Sequence, residues 1–470
     1  MPHLQTLVFD SPRHRRFAAL SADVNPVHTD ALAARRTQFG EPIVHGVHTL
    51  LRVLDALAAV EPELQRATSV KAKFLRAVYV GDSMATEITA RSPARWRVRG
   101  SVDGQDVVAV TIGFGAATQL PPLEAGAART LSPVTQPLNL PSQQMLGYGG
   151  RIAYSCEGWG ELFPHAVECL GAPRVGALAC ASYIVGMLVP GLYSMFFELD
   201  VGLAERDAAP QLSFLSGALD PDFRSLPIEV RGGGIGGTLR ALQRLPPAQQ
   251  PALQSIAARV TPREFVGTRA LVVGGSRGLG ELTAKILAAG DAEVTITYAA
   301  GARDAAAIAV ELTAAGKRCN VVRYDVREPA APQLGAIDPT HVYYFPTPAI
   351  FRRKAGFLDP LRRAEFEDFY VQGFANLIEA CPHPETLRVF YPSSVAVAFD
   401  QRPAEMLEYA MAKAAGEILC EELARRYEGM RVVTTRLPRL PTDQTASVMQ
   451  VETADPLEVL LPVVREMHAA

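Results

Sequence analysis

Two periodicities of apolar residues divide the chain. Ser83–Ala90 and Val107–Phe114 alternate polar and apolar side chains, the pattern of half-buried antiparallel strands. Ahead of them, Gly46–Ala58 carries apolar residues at helical spacing and Ala67–Phe74 reads as a strand. The layout returns further on, with an apolar helix at 175–189, a strand entered through Pro190-Gly191, and strands around Ile228–Arg231 and Gly237–Gln243. Sequence identity between the two copies is poor, so the repeat is one of pattern. From Gly267 the rhythm changes. Strand-like runs at Ala292–Tyr298, Cys319–Tyr324, His341–Phe345, Leu387–Tyr391 and Arg431–Thr435 alternate with helical stretches, which predicts a parallel sheet covered on both faces.

The pattern predicts five segments: a first α+β domain at 1–118, a proline-rich linker at 119–145, a second domain at 146–246, a linker at 247–264, and an α/β domain at 265–470. A chain of 470 residues is too long for one compact core, which agrees with several domains. The glycine cluster Arg231–Gly237 lies between two predicted strands, so it reads as a hairpin or bulge rather than a phosphate loop.

Composition removes some functions. A net charge of −3 leaves no basic excess to neutralise nucleic-acid phosphates, so no nucleic-acid partner is expected. Six scattered cysteines show no metal-ligand spacing, which points to reduced thiols in a reducing compartment, and no metal is expected. The N-terminus shows no charged leader followed by an apolar run, so a cytoplasmic location is expected. Val175–Phe197 is free of charge and long enough to raise the question of a membrane span. Gly176, Gly186 and Pro190-Gly191 interrupt it, so a helix buried on all sides and then a strand is expected, with no span.

Two stretches carry candidate chemistry. In the first, Asp23, Asn25 and His28 surround Pro26, which breaks regular structure, and Phe39-Gly40 and His45-Gly46 follow just before the first apolar helix. A carboxylate and an imidazole on a rigid loop suit proton transfer to and from a carbonyl compound. Asp23 and His28 can share the proton work, with Asn25 fixing either a water or the loop. The N–H of Gly46, at a helix start, can supply a donor to a developing oxyanion, and a side chain there would crowd a thioester.

The Asp-x-Asn-Pro-x-His pattern with its downstream His-Gly resembles the MaoC-like dehydratases and R-specific enoyl-CoA hydratases of the hotdog fold, over about the first 115 residues. The resemblance implies an antiparallel sheet wrapped around a central helix, and assigns the catalytic roles to Asp23, Asn25, His28 and Gly46. His45 and His48 are read as structural. The second copy lacks the motif, with only Phe163-Pro164-His165 as a local candidate, so it is expected to be a non-catalytic half that completes a double hotdog and walls the acyl tunnel.

In the second stretch, Val273-Gly274-Gly275-Ser276-Arg277-Gly278-Leu279-Gly280 joins a strand to a helix, an arrangement that brings backbone close to a pyrophosphate. Downstream, Tyr409 and Lys413 share one helix face, so the ammonium is expected to lower the phenol pKa. Ser393-Ser394 ends a strand just before them. This constellation resembles the short-chain dehydrogenase/reductase family over residues 265–470, with a Rossmann-type doubly wound sheet. By that resemblance Tyr409 protonates the nascent alkoxide, and Lys413 binds the nicotinamide ribose and tunes Tyr409. Ser394 (or Ser393) orients the carbonyl, Gly274, Gly278 and Gly280 form the cofactor turn with Ser276, Arg277 and Leu279, and Asp325-Val326 border the adenine. No acidic residue ends the strand Val294–Tyr298, while Arg277 and Arg303 are at hand, which favours NADP(H) over NAD(H).

The chain departs from that family's pattern at several places. Val273 stands for a threonine, Phe345-Pro346-Thr347-Pro348 for an Asn-Ala-Gly segment, Tyr370 for an asparagine and Leu437-Pro438 for Pro-Gly, and Ser394 lies further from Tyr409 than usual. Together the two resemblances imply a bifunctional 3-ketoacyl-thioester reductase and (R)-3-hydroxyacyl-thioester dehydratase or enoyl hydratase. Its substrates would be acyl-CoA or acyl-carrier-protein thioesters in fatty-acid-like or polyketide-like metabolism, and the chain would form a homodimer or larger. Two alternatives stand beside it: a chain in which only the hydratase is active, and a thioester- and NADP(H)-binding scaffold without turnover.

Overall fold

The structure is a computed structural model, and it describes residues 3–116, 129–204, 208–352, 356–445 and 452–469. Two compact units divide the chain, with the boundary between Pro246 and Pro247.

The first unit is built on one ten-stranded sheet. Its strands are β1 (His3–Val8), β2 (Ser69–Phe74), β3 (Ser83–Ser92), β4 (Arg95–Val102), β5 (Gln105–Gly113), β6 (Gly149–Ala153), β7 (Ser194–Leu203), β8 (Gln211–Ser216), β9 (Ser225–Gly232) and β10 (Ile235–Gln243), in the order β1-β3-β4-β5-β2-β7-β10-β9-β8-β6. Read inward from either edge, the two halves follow the same order, so the repeat of pattern is a repeat of topology. They join where β2 and β7 pair antiparallel, with Val70 opposite Val201 and Ala72 opposite Leu199. Outward-facing lysines on β2 meet acids on β7, Lys71 with Glu198 and Asp200 and Lys73 with Glu198, a cross-strand charge match that fixes register at the join.

Each half wraps a helix. The first, Gly46–Ala58, buries Val47, Leu50, Leu51, Val53, Leu54 and Leu57 against the sheet, as its apolar spacing predicts. The second, Ala172–Tyr183, is buried from Arg174 onward and runs on as a π-helical turn at Ile184–Leu188, also buried. The uncharged stretch is therefore a core helix followed by a strand. Among the described residues no single helix is long and apolar enough to cross a membrane, and the pair Pro164–Leu170 and Ala172–Leu188 that passes by composition is bent by 114°. The glycine cluster forms the tight turn between β9 and β10.

The second unit is a six-stranded parallel sheet: β11 (Arg269–Val273), β12 (Glu293–Tyr298), β13 (Cys319–Arg323), β14 (His341–Tyr344), β15 (Arg388–Ser394) and β16 (Arg431–Leu437), ordered β13-β12-β11-β14-β15-β16. Strand order reverses between β11 and β14, the switch point where doubly wound sheets open a crevice. Residues 247–264, expected as linker, instead contribute a short helix, Leu253–Ala257. Leu253 and Ile256 pack into this unit's core, and the Leu253 N–H is held by Glu311. Three apolar residues, Leu253, Ile256 and Val260, explain why the segment docks. None of the six cysteines, all of them among the described residues, forms a disulfide.

Candidate active sites

The loop Ala22–Asp30 is shaped by its own polar residues. Asn25 caps the short turn Pro26–Thr29, its Oδ1 accepting the Val27 N–H, and the proline at the first position fits the fixed φ of a helix start. The Asn25 Nδ2 then donates across the unit to the carbonyls of Gly186 (2.7 Å) and Gly191 (3.1 Å), in the π-helical turn of the second half and the loop after it. Both ends of the carboxamide are spent on protein. Of the two roles open to it, fixing a water or fixing the loop, the geometry uses the second.

Asp23 is buried, with its carboxylate facing the second half. Ser182 Oγ donates to Oδ2 at 2.7 Å, and the Asn25 backbone N–H reaches Oδ1 at 3.3 Å. A Cβ on Gly186 would fall 2.3 Å from Oδ1 and 2.6 Å from Oδ2, so the carboxylate sits where only glycine leaves room. Burial pushes the Asp23 pKa up, opposed by His28, Ser182 and the Asn25 N–H. The second half was expected only to complete the fold and wall a tunnel, yet it touches both Asp23 and Asn25. Its own candidate, His165, is exposed on the helix Pro164–Leu170.

His28 Nδ1 lies 2.7 Å from the Ile43 carbonyl, which fixes the proton on Nδ1 and leaves Nε2 with a free lone pair. Burial and the neighbouring His45 hold its pKa well below the ordinary histidine value, so the ring is neutral at physiological pH. His45 was read as structural, and its position explains why. It is fully buried, donates Nε2–H to the Asp23 carbonyl at 2.9 Å, and stacks on His28 with ring centroids 3.8 Å apart. It therefore positions both catalytic candidates. His48 stacks on Phe17 in the core, with centroids 4.8 Å apart.

The ligand-capable atoms of Asp23, His28 and His45 all lie within 4.8 Å of one another. His45 Nε2 is committed to the Asp23 carbonyl and His28 Nδ1 to that of Ile43, bonds that set the two tautomers. Gly46 opens the central helix beside this cluster, with no side-chain cap at its N-terminus. A Cβ at Gly46 would press on the Phe74 ring at 3.0 Å, so the close neighbour of this glycine is an aromatic wall.

In the second unit, Gly274 (φ 73°) and Gly278 (φ 58°) take left-handed backbone, and a Cβ at Gly280 would strike the Gly274 carbonyl at 2.4 Å. The turn thus packs tightly against the first turn of the helix Gly278–Ala289, whose N-terminal N–H groups receive no side-chain cap. Gly274 also lies against Phe345 and Pro346 at the end of β14, which places the turn at the switch point. This cradle of backbone donors suits a pyrophosphate. Ser276 is buried, Leu279 is half-buried and Arg303 is exposed. Arg277 pairs with Asp443 at 3.0 Å, and Asp325 is paired with Arg327, which holds its carboxyl below the usual range. Val326 is buried beside it.

Ser393 bonds to Glu417, whereas the Ser394 hydroxyl acts on the Tyr409 phenol, so the serine facing the phenol is Ser394. Lys413 was expected to lower the Tyr409 pKa. Instead burial holds the phenol above its ordinary value, with the nearby Ser394 hydroxyl opposing. Lys413 Nζ donates to the Pro392 carbonyl at 2.7 Å and lies 3.9 Å from the centroid of the Tyr370 ring. Burial pulls its own pKa down to about 7. Tyr370, in place of the expected asparagine, thus covers the ammonium with a π face, while its hydroxyl bonds to Thr347 at 2.5 Å. Gly416 leaves the space in which the Tyr391 hydroxyl reaches the Tyr370 carbonyl, since a Cβ there would overlap that hydroxyl.

Comparisons with known proteins follow the same division. Residues 6–111 match the family model described as MaoC like domain, and residues 268–334 match that of short chain dehydrogenase. No curated protein matches the chain. Among solved structures the chain is similar to a short chain dehydrogenase from Burkholderia cenocepacia in complex with NADP, at 26% identity over 43% of this chain and 91% of that one, with a TM-score of 0.37. It is also similar to a 3-oxoacyl (acyl-carrier-protein) reductase from Agrobacterium tumefaciens with NADP bound, at 21% identity over 38% of this chain and 73% of that one, with a TM-score of 0.34. A short chain dehydrogenase from Escherichia coli complexed with NADPH gives 18% identity over 45% and 94%, with a TM-score of 0.40. The two family matches identify the chain as an enzyme that joins a MaoC-like domain to a short-chain dehydrogenase domain.

Proposed function

We propose that the chain reduces a 3-ketoacyl thioester with NADPH and removes water from the resulting (R)-3-hydroxyacyl thioester, or runs the second step in reverse as an enoyl hydratase. The observation that carries the reading is the pairing of His28, with a free Nε2 and a fixed tautomer, with the Asp23 carboxylate beside the open helix start at Gly46. In the hydration direction, a water held by His28 and Asp23 gives its proton to that pair as its oxygen bonds C3 of the enoyl thioester. The displaced electron pair moves to the thioester oxygen, where the Gly46 N–H stabilises it, and C2 then takes up a proton. Dehydration is the same path reversed.

For the reductase, the glycine turn with Ser276, Arg277 and Leu279 would hold the phosphates and Lys413 the ribose, with Asp325 and Val326 at the adenine. A strand β12 that ends in Tyr298 without a carboxylate favours a 2′-phosphate, with Arg277 and Arg303 as its cationic partners. When bound, NADPH supplies the hydride for the carbonyl carbon. Ser394 orients the carbonyl oxygen, and Tyr409 gives that oxygen its proton. Carriage of both sites on one chain keeps a released intermediate at raised local concentration. CoA and carrier-protein thioesters of fatty-acid-like or polyketide-like pathways fit this chemistry, and six cysteines outside any disulfide suit the cytoplasm. Self-association into a homodimer belongs to the same reading by analogy.

The test is a pair of assays on the full chain. NADPH oxidation with acetoacetyl-CoA, lost in Tyr409→Phe, and crotonyl-CoA hydration, lost in Asp23→Asn, are both expected. Hydration without any NADPH oxidation would reduce the function to the hydratase, and neither activity, with NADPH still raising Tm, would leave a scaffold.

A further inference from the structure

We propose that the half without the motif is a working part of the active site in the half that has it. Ser182 is a positioning residue that holds the Asp23 carboxylate in its reactive orientation, and the segment 184–192 is the socket that holds the Asp23–His28 loop. The inference rests on the hydratase reading above.

Three independent observations converge on the same few ångströms. Ser182 Oγ donates to Asp23 Oδ2 at 2.7 Å, a charge-assisted bond between groups that are both buried. Gly186 leaves the space the carboxylate occupies, since any Cβ would lie 2.3 Å from Oδ1. The π-helical turn Ile184–Leu188 departs from regular α-helical bonding just where the Gly186 carbonyl turns to Asn25 Nδ2, and the Gly191 carbonyl joins it. None of these features belongs to a motif, and each lies in the half that lacks catalytic residues of its own.

The chemical consequence concerns the proton on Asp23. Every element around the carboxylate bears on it: His14 from the helix Ser11–Ser21, His28 from its own loop, His45 from the start of the helix Gly46–Ala58, and Ser182 with neighbouring Tyr183 from the second half. The three histidines are held below their ordinary pKa by burial. Burial thus weakens their hold on the Asp23 charge, and Ser182, together with the Asn25 N–H, is a close donor that favours the carboxylate over the acid. Hydration needs Asp23 ionised, so activity rises with pH as Asp23 loses its proton. Burial places that rise above the range of an ordinary carboxylate, and removal of the Ser182 hydroxyl moves it higher still.

The experiment is the pH–rate profile of crotonyl-CoA hydration by the full chain, Ser182→Ala and Ser182→Thr. Ser182→Ala is expected to move the acid limb of kcat upward by roughly one pH unit, about a tenfold loss below the limb, and to lower the plateau as Asp23 loses its orientation, with KM little changed. Ser182→Thr, which keeps a hydroxyl, is expected to restore the wild-type limb. An acid limb that stays in place in Ser182→Ala overturns the proposal. Infrared difference titration of the Asp23 carboxyl, assigned with Asp23→Asn, reads the same shift without turnover. A chain that hydrates no enoyl thioester would sink the hydratase reading, and the infrared titration would still decide whether Ser182 sets the state of Asp23.

Discussion

Replacing Asn25 by aspartate keeps the shape of the side chain and its capping of Val27, and reverses one property. The NH2 group with its two N–H donors becomes a single carboxyl oxygen facing the carbonyls of Gly186 and Gly191. Each buried carbonyl left without a donor costs about 1–3 kcal/mol, so Asn25→Asp is expected to destabilise the first unit by roughly 4 kcal/mol. At about 2–4 °C per kcal/mol for a unit of this size, Tm falls by roughly 8–16 °C. The loss depends on pH with a definite sign. A protonated carboxyl can still donate one bond and an ionised one cannot, so burial against carbonyls raises the pKa of the introduced group. Its stabilising form is complete below the ordinary carboxylate pKa and disappears as pH rises through the raised value. Thermal unfolding across pH, followed with crotonyl-CoA hydration, checks both points. An unchanged Tm with turnover alone reduced would refute the reasoning and return Asn25 to the role of holding a water.

Two further predictions concern the reductase unit. Lys413 has its pKa pulled to about 7 by burial, so NADPH affinity is expected to weaken as pH rises through that value, and Lys413→Met is expected to flatten the dependence in a cofactor-fluorescence titration. Ser394→Ala is expected to lower kcat for acetoacetyl-CoA reduction at least tenfold, whereas Ser393→Ala, which releases only Glu417, leaves it within about threefold. Equal losses would refute the assignment of the two serines.

Elements with a strong period were legible in the chain. The helix Gly46–Ala58 and the alternation of strand and helix after Gly267 appear where their patterns place them, because burial on one stripe or on both faces leaves a plain mark in composition. The Asp23–His28 loop was legible for another reason: its chemistry requires particular residues close together in sequence. β4 was passed over although Trp96, Val98 and Val102 alternate, since the arginines between them disguise a strand whose outer face is charged. Ser182 and Gly186 were beyond reach. They act through space on a residue more than 150 positions away, and a serine and a glycine in an apolar helix read as packing. Tyr370 was noticed only as a missing asparagine, because its cover over Lys413 depends on how two helical segments pack.

The seam between β2 and β7 makes a permanent couple of what could otherwise be two identical subunits. In a symmetric dimer each copy would have to serve as both the bearer of the Asp23 loop and its receptacle, and every residue would answer to both duties. Tethering lifts that obligation. One copy is free to keep the reagents, and the other to be shaped wholly around holding them.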